Sequence, residues 1–362
     1  RFRTLVLRLF HTELETVYEE FNRGQDNDGR KSWQALYEGL FPTHPYGTQT
    51  TIGEGEHLKN PSMVNIHNYF KQYYIPNNIA ICLAGDLDPD KTIELVDKYF
   101  GDWEAEEITD IVFEKQAPIS ETVIKEEYGV QPAHLRMGYR FEGAGSEEAR
   151  MAKMIAGLLS NGQAGLIDLN LNQQQKVLSA AAFDIQMDEY SVLSFYAQPR
   201  EGQKLEDLEA LINQEIAKIR EGEFDDWLVD AVVKNMKLDQ VKGLESNRTR
   251  ADRFVDAFIW QEDWEDMVQE LDRMDAITKQ QVVDFAKTHL QDNYVVVYKR
   301  EGKDTSIHKV EKPEITPVVV NRDTTSSFVT EIKEMESIRL EPQFLDYQAL
   351  INVTNILYDN IY

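Results

Sequence analysis

The chain has 362 residues, 42% of them hydrophobic and 10% aromatic, which is enough for two domains with packed cores and argues against wholesale disorder. A net charge of −26 makes nucleic acid and anionic membrane surfaces poor partners and favours neutral or basic peptides. One cysteine, Cys82, excludes an internal disulfide, and no run reaches the roughly 18 apolar residues of a membrane-spanning helix.

From the N-terminus, Phe2, Val6, Leu9 and Val17 recur at helical spacing and predict a helix over 2–21. Because the sequence starts at Arg1 inside this helix, the true N-terminus is expected to lie further upstream. A polar stretch from Asn22 to Gly29 breaks the pattern, and a short helix follows over 32–40. The loop from Phe41 to Gly47 holds two prolines, and its His44 reads as structural. Ser62 is placed to cap a helix over 62–74. Pro76-Asn77-Asn78 turns into Ile79–Ala84, apolar on both faces like a buried central strand, with Cys82 as a small core hydrophobe. A helix over 91–100 closes this part. Residues 104–117 are acidic and irregular, a linker. Beyond it, strands are predicted at 134–139, 191–197 and 294–298, and helices at 147–159, 165–174, 205–221, 225–243 and 278–290. The Lys-, Pro- and Thr-rich stretch 301–362 reads as a connector.

The sequence resembles itself at an offset of 215 residues. Phe70 through Asn78 to Ile81 aligns with Phe285 through Asn293 to Val296, a helix, an Asn-containing turn and an apolar strand each time. The same offset carries Val17 onto Val232 and Phe21 onto Met236, but Glu13 onto Leu228 and Glu20 onto Asn235. Two acids are thus peculiar to the first repeat. The second repeat begins near residue 118, so the first is expected to begin about a hundred residues ahead of Arg1.

Seven residues make almost two helical turns, so Glu13 and Glu20 share a face. That face also carries Val17 and the apolar residues before it, which predicts that both carboxylates point inward. Buried acids need a partner, either Arg or Lys in an ion pair or a metal ion. Glu15 and Glu19 lie on another face and are expected in solvent. Asp26-Asn27-Asp28-Gly29 has a calcium-loop flavour, but the twelfth position from Asp26 is Tyr37, not the closing glutamate.

The run Thr12–Asn22 with Asp26–Arg30, and then His44-Pro45-Tyr46-Gly47, Ile52-Gly53, Tyr74–Asn78 and Gly85–Pro89, resembles the insulinase (pitrilysin-like) family of zinc peptidases. The second repeat resembles the family's partner domain through Leu158–Gly162 with Gly165-Leu166, and Lys312–Pro317 resembles the linker of its single-chain bacterial members. The resemblance implies an α+β fold of two insulinase-type domains (LuxS- and mitochondrial-processing-peptidase-like), each an antiparallel sheet with helices on one face. It divides the chain into 1–103, the C-terminal part of a site-bearing domain; 104–117, the linker; 118–300, an inactive copy; and 301–362, a connector toward a second half.

The resemblance also assigns roles. Glu20 matches the family's third zinc ligand, and Glu13 matches an acid that supports it from behind. The two histidine ligands and general-base glutamate form H-x-x-E-H in this family, and no pair of the chain's seven histidines has that spacing. The motif is expected upstream of Arg1, so this chain holds no catalytic residue and would not retain Zn2+ by itself. The implied activity is hydrolysis of peptides or unfolded polypeptides in a clamshell chamber, completed by the second half of the same protein or a partner subunit. The location would be bacterial cytoplasm or periplasm. The alternative is a non-catalytic scaffold member of the same family.

Overall fold

Val295, Val296 and Val297 are all fully buried, so a run of consecutive residues must be covered on both faces. A computed structural model of the chain shows how this is achieved. It describes residues 10–59, 61–108, 111–304, 310–311 and 324–337. The chain divides into two units, Arg1–Ile315 and Thr316–Tyr362. The second contributes one described helix, Ser327–Ser337. Most of the predicted connector over 301–362 lies outside the described residues.

Among the described residues six α-helices and a 3-10 turn at Pro76–Asn78 come before any strand: α1 (Phe10–Gln25), α2 (Asp28–Leu40), the short α3 (Pro45–Thr48) and α4 (Gly55–Lys59), α5 (Met63–Tyr73) and α6 (Pro89–Phe100). The sheet follows, with β1 (Val123–Gly129), β2 (His134–Glu142), α7 (Glu147–Leu159), a π-helical turn at Asp168–Asn172, β3 (Ser179–Gln186) and β4 (Tyr190–Gln198). Then come α8 (Leu205–Glu221), α9 (Trp227–Gly243), α10 (Asn247–Ile259), α11 (Trp264–Asp275), α12 (Lys279–His289) and β5 (Val295–Glu301). Strand order is β1-β5-β2-β4-β3, with β1 parallel to β5 and the other pairings antiparallel.

Local chemistry explains the boundaries. Asn27, Ser62, Asp88, Ser146, Ser246, Asp263 and Thr278 each accept a backbone N–H in the first turn of the helix they precede. Gly222 ends α8 in the left-handed conformation at φ 73°, which glycine adopts without a Cβ clash.

The sheet carries helices on both faces, where one was expected. Along β5, Tyr294, Val296 and Tyr298 join the large core beneath α7, α8, α9 and α12, while Val295 and Val297 point the other way into a second core. That second core is supplied by α2 of the first repeat, through Ala35, Leu36 and Leu40. The helix lies across β1, β5 and β2. Gly39 lets it come close, since a Cβ there would sit 2.6 Å from Val295 Cγ1.

The predicted strand over 79–84 does not form. Those residues have no ladder partner among the described residues, and Ile81 and Leu83 are 47% and 52% exposed. All the described strands belong to the second repeat. An apolar run becomes a strand when neighbouring strands take its N–H and C=O groups, and none here does. Cys82 is accordingly half-exposed instead of buried.

Candidate functional site

Helix α1 buries one face. Leu14 and Tyr18 pack against Val310, flanked by Phe10, Phe21 and Leu58. Glu13 and Glu20 are exposed and, among the described residues, make neither an ion pair nor a hydrogen bond. The expectation of an inward-facing pair is therefore corrected. At 100° per residue the two acids do share a face, but it lies roughly 100° from the buried one. Phe2, Val6 and Leu9, which suggested the inward direction, lie outside the described residues. Among the described residues no Arg or Lys pairs with either acid, so the ion-pair reading is not realised there. Glu19 is exposed as expected, and Glu15 is half-buried.

Two carboxylates on an open helix face do not make a zinc site. Among the described residues no group of three or more His, Cys, Asp or Glu side chains could hold a metal ion. The residues present therefore do not fit zinc by themselves.

The second repeat displays the same helix in a finished setting. There α9 stands in the place of α1, with Leu228 at the Glu13 position, 3% exposed, and Asn235, exposed, at the Glu20 position. Helix α7 covers it. A Cβ on Gly157 would lie 2.6 Å from Val232 Cγ1 and 3.4 Å from Met236 Cε, so the two helices approach closely at the positions matching Val17 and Phe21. In the first repeat the corresponding face of α1 has no such cover among the described residues, and Val17 is half-buried.

A second polar cluster, not foreseen from the sequence, ties α2 to the end of the sheet. Lys299 is fully buried, with its Nζ 2.8 Å from Asp28 Oδ2. The same carboxylate oxygen accepts the Gln131 N–H at 2.7 Å, while Lys299 also donates to the carbonyls of Gly129 and Gln131. Burial alone would raise the Asp28 carboxyl, but the bonds from Lys299 and Gln131, with Lys31 nearby, hold it below the usual range. Asp28 thus serves an ion pair and Asn27 a helix cap, which closes the calcium-loop reading of this string.

Alongside, Ser32 Oγ lies 2.7 Å from His134 Nε2. With Nδ1–H donating to the Pro132 carbonyl at 3.3 Å, Nε2 is left to accept from the hydroxyl, and Arg136 Nε donates to the same oxygen at 3.0 Å. Burial, together with Arg136 and Lys299, pushes His134 down to about 4. The distance suits a nucleophile and its base, but Ser32 is fully buried, so no substrate reaches it. The sequence signal for this cluster was faint: a lysine inside an otherwise apolar strand, Val295 to Tyr298 followed by Lys299.

His44 is structural, as expected. It is 1% exposed, its Nδ1 accepts the Tyr46 N–H at 3.2 Å to cap α3, and its ring packs edge-on against Tyr46 and Phe113. In the small-residue turn of the second repeat, Asn161 Oδ1 accepts the N–H groups of Gln163, Ala164 and Gly165. No helix of the described residues is long and apolar enough to cross a membrane.

With this geometry in view, the chain can be compared with known proteins. Residues 64–236 match the family model described as the Peptidase M16 inactive domain. The curated zinc protease PqqE of Helicobacter pylori is 26% identical over 259 residues, covering 69% of this chain and 57% of that protein. Among solved structures, a protease from Helicobacter pylori superimposes with a TM-score of 0.71 at 22% identity, over 82% of this chain and 73% of that one. The periplasmic protease PqqL from Escherichia coli gives 0.65 at 13% identity, over 92% of this chain but 37% of that one. At these identities the structural likenesses speak to fold, and the chain spans well under two thirds of its curated relative.

Proposed function

Because the chain belongs to the M16 peptidases, we propose that it is part of a zinc-dependent metalloendopeptidase acting on peptides or unfolded polypeptides, with Glu20 as a zinc ligand and Glu13 supporting it. In this reading 1–103 ends the site-bearing domain, 104–117 links it to the inactive copy over 118–300, and 301–362 leads toward a second half that closes the chamber. That half is carried by the same protein or by a partner subunit. The single observation behind the reading is the contrast between α1 and α9. The α9 helix of the second repeat is covered by α7 and has Leu228 and Asn235 where α1 presents two unpartnered carboxylates. By the 215-residue offset, the counterpart of α7 would run beside Val17, next to both acids. Two carboxylates do not hold zinc, so the isolated chain is inactive.

The experiment is a peptide-hydrolysis assay on the purified 362-residue chain and on the protein at its natural length, each with and without a chelator. We expect no turnover from the chain. The natural-length protein should show chelator-sensitive turnover that falls by about 100-fold or more in Glu20→Gln and by about 10- to 100-fold in Glu13→Gln. Chelator-sensitive hydrolysis by the chain alone would overturn the reading, as would full activity in Glu20→Gln. A natural-length protein that cleaves nothing under any metal condition would establish the scaffold alternative instead.

A further inference from the structure

Of the chain's asparagines, Asn161 alone is followed by glycine. In such a pair the glycine nitrogen can attack the side-chain carbonyl carbon, because no Cβ on the second residue stands in the way. A C–N bond forms from the Gly162 nitrogen to Asn161 Cγ, the Gly162 N–H proton is lost, and Nδ2 departs as ammonia. Water then opens the cyclic imide, at one carbonyl to aspartate and at the other to isoaspartate. Water is the only co-reactant.

In the folded chain every atom that has to move is held. The Gly162 N–H donates to Asp168 Oδ2 at 2.8 Å, and the same oxygen accepts the Asn161 N–H at 2.8 Å. A carboxylate in that place opposes loss of the proton, since it would face an amide anion, and a carboxylate is too weak a base to remove an amide proton itself. Asn161 Oδ1 accepts N–H groups from Gln163 at 3.1 Å, Ala164 at 2.8 Å and Gly165 at 3.2 Å, which fixes the direction of the side chain. The leaving nitrogen, Nδ2, donates to the Gly157 carbonyl at 3.1 Å. The donors on Oδ1 would also steady the oxyanion formed by attack. That help comes only after the Gly162 nitrogen is free, and Asp168 keeps its proton in place.

Asp168 is the first residue of the π-helical turn and is wedged against this loop. A Cβ on Gly165 would sit 2.7 Å from Asp168 Oδ2 and 2.5 Å from the Leu159 carbonyl oxygen, so only glycine lets the carboxylate in. Asn161 is half-buried and Gly162 exposed, so water reaches the pair once the loop opens. Neither product rebuilds the turn. Aspartate puts an oxygen where Nδ2 donated, against the Gly157 carbonyl, and isoaspartate adds a methylene to the main chain between residues 161 and 162. Both add a negative charge beside Asp168.

We propose that Asn161-Gly162 is a latent modification site, kept inert by Asp168 in the folded turn and released by local opening of residues 160–168. Conversion runs one way. It leaves the connection between α7 and β3 unable to close as before, while the sheet behind it stays folded. The inference rests on the turn alone and not on the zinc reading, so it holds equally for a peptidase and for a scaffold member of the family.

Conversion at Asn161 is followed by peptide mapping of the 362-residue chain at mildly alkaline pH, folded and unfolded in guanidinium chloride. We expect the folded chain to convert about 10- to 100-fold more slowly. Asp168→Ala should bring the folded rate to within about 3-fold of the unfolded one, and Asp168→Asn, which keeps the shape without the charge, should fall between. Amide hydrogen exchange in β2 and β4 shows whether each variant keeps its sheet, and if Asp168→Ala does not, Asp168→Asn carries the comparison. Asn161→Asp, one of the two products, should exchange about 10-fold faster over 161–168 with β2 and β4 unchanged. A folded chain that converts as fast as the unfolded one overturns the proposal, and so does a folded Asp168 variant with the parent's rate. Parental exchange over 161–168 in Asn161→Asp would overturn the one-way step.

Discussion

Residues 70–84 and 285–299 are two versions of one unit, a helix, an Asn-bearing turn and an apolar run. In the second version Val295, Val296 and Val297 are fully buried in a ladder with β1 and β2. In the first, Ala80, Ile81 and Leu83 are exposed and pair with nothing described. Both runs are apolar, and although the second is richer in the β-branched and aromatic residues that favour strands, the larger difference is in what surrounds them. A central strand is made by its neighbours, which supply hydrogen-bond partners and cover on both faces, and an apolar run without them stays extended and open.

The largest expected effect breaks this comparison directly. Val296→Asp puts a charge in the dry centre of the sheet and should cost about 4–5 kcal/mol, enough to unfold the second repeat in a urea titration. Ile81→Asp, at the matching position, should change the unfolding free energy read from the urea titration by less than about 0.5 kcal/mol in the isolated chain. A large loss in Ile81→Asp would mean that the segment is already covered.

Next in size is the tie between α2 and the sheet. Lys299→Met leaves the buried Asp28 carboxylate with only the more distant Lys31, 3.7 Å from Oδ1, and should cost about 3 kcal/mol, and Lys299→Met with Asp28→Leu should recover most of that. If the single and double changes cost the same, the pair does not act as a unit. Acid titration should give a further effect. His134 falls from 6.5 to about 4 on folding, so between those values the unfolded chain holds a proton that the folded chain lacks. Stability is then complete above pH 6.5 and declines toward pH 4, by at most about 3 kcal/mol at 1.36 kcal/mol per unit. His134→Gln should flatten that slope. The Asp28 contribution lies in a lower window, being complete above its ordinary value of 3.8 and lost as the pH falls through its depressed one.

The smallest expected effect compares α2 with α10. Ile259→Asp, on the exposed side of α10, should change the stability of the isolated chain by under about 0.5 kcal/mol, while Leu40→Asp in the buried face of α2 should cost several-fold more. Parity between them would remove the distinction between the buried face of α2 and the exposed face of α10.

Much of this was legible beforehand. Helices 147–159 and 205–221 have the ends that periodicity predicted, and the 215-residue repeat places α9 where α1 stands in the first repeat. Strands β1 and β3 and helices α10 and α11 were not assigned. β1 alternates half-buried with exposed residues at a sheet edge, and α10 is mostly polar with no completely buried position, so neither carries a strong apolar period.

The sequence by itself determined which residues share a face, where the helices start and that the chain is duplicated, because these follow from spacing, local hydrogen bonding and self-similarity. Tertiary structure alone decided which faces are covered. It turned Glu13 and Glu20 to the open side of α1, left 79–84 without a ladder and closed Asp28 onto Lys299 across 271 positions of sequence. The physical reason is that burial belongs to a pair of surfaces. A periodic stripe names one of them, and the other is supplied by a part of the fold that the stripe does not encode.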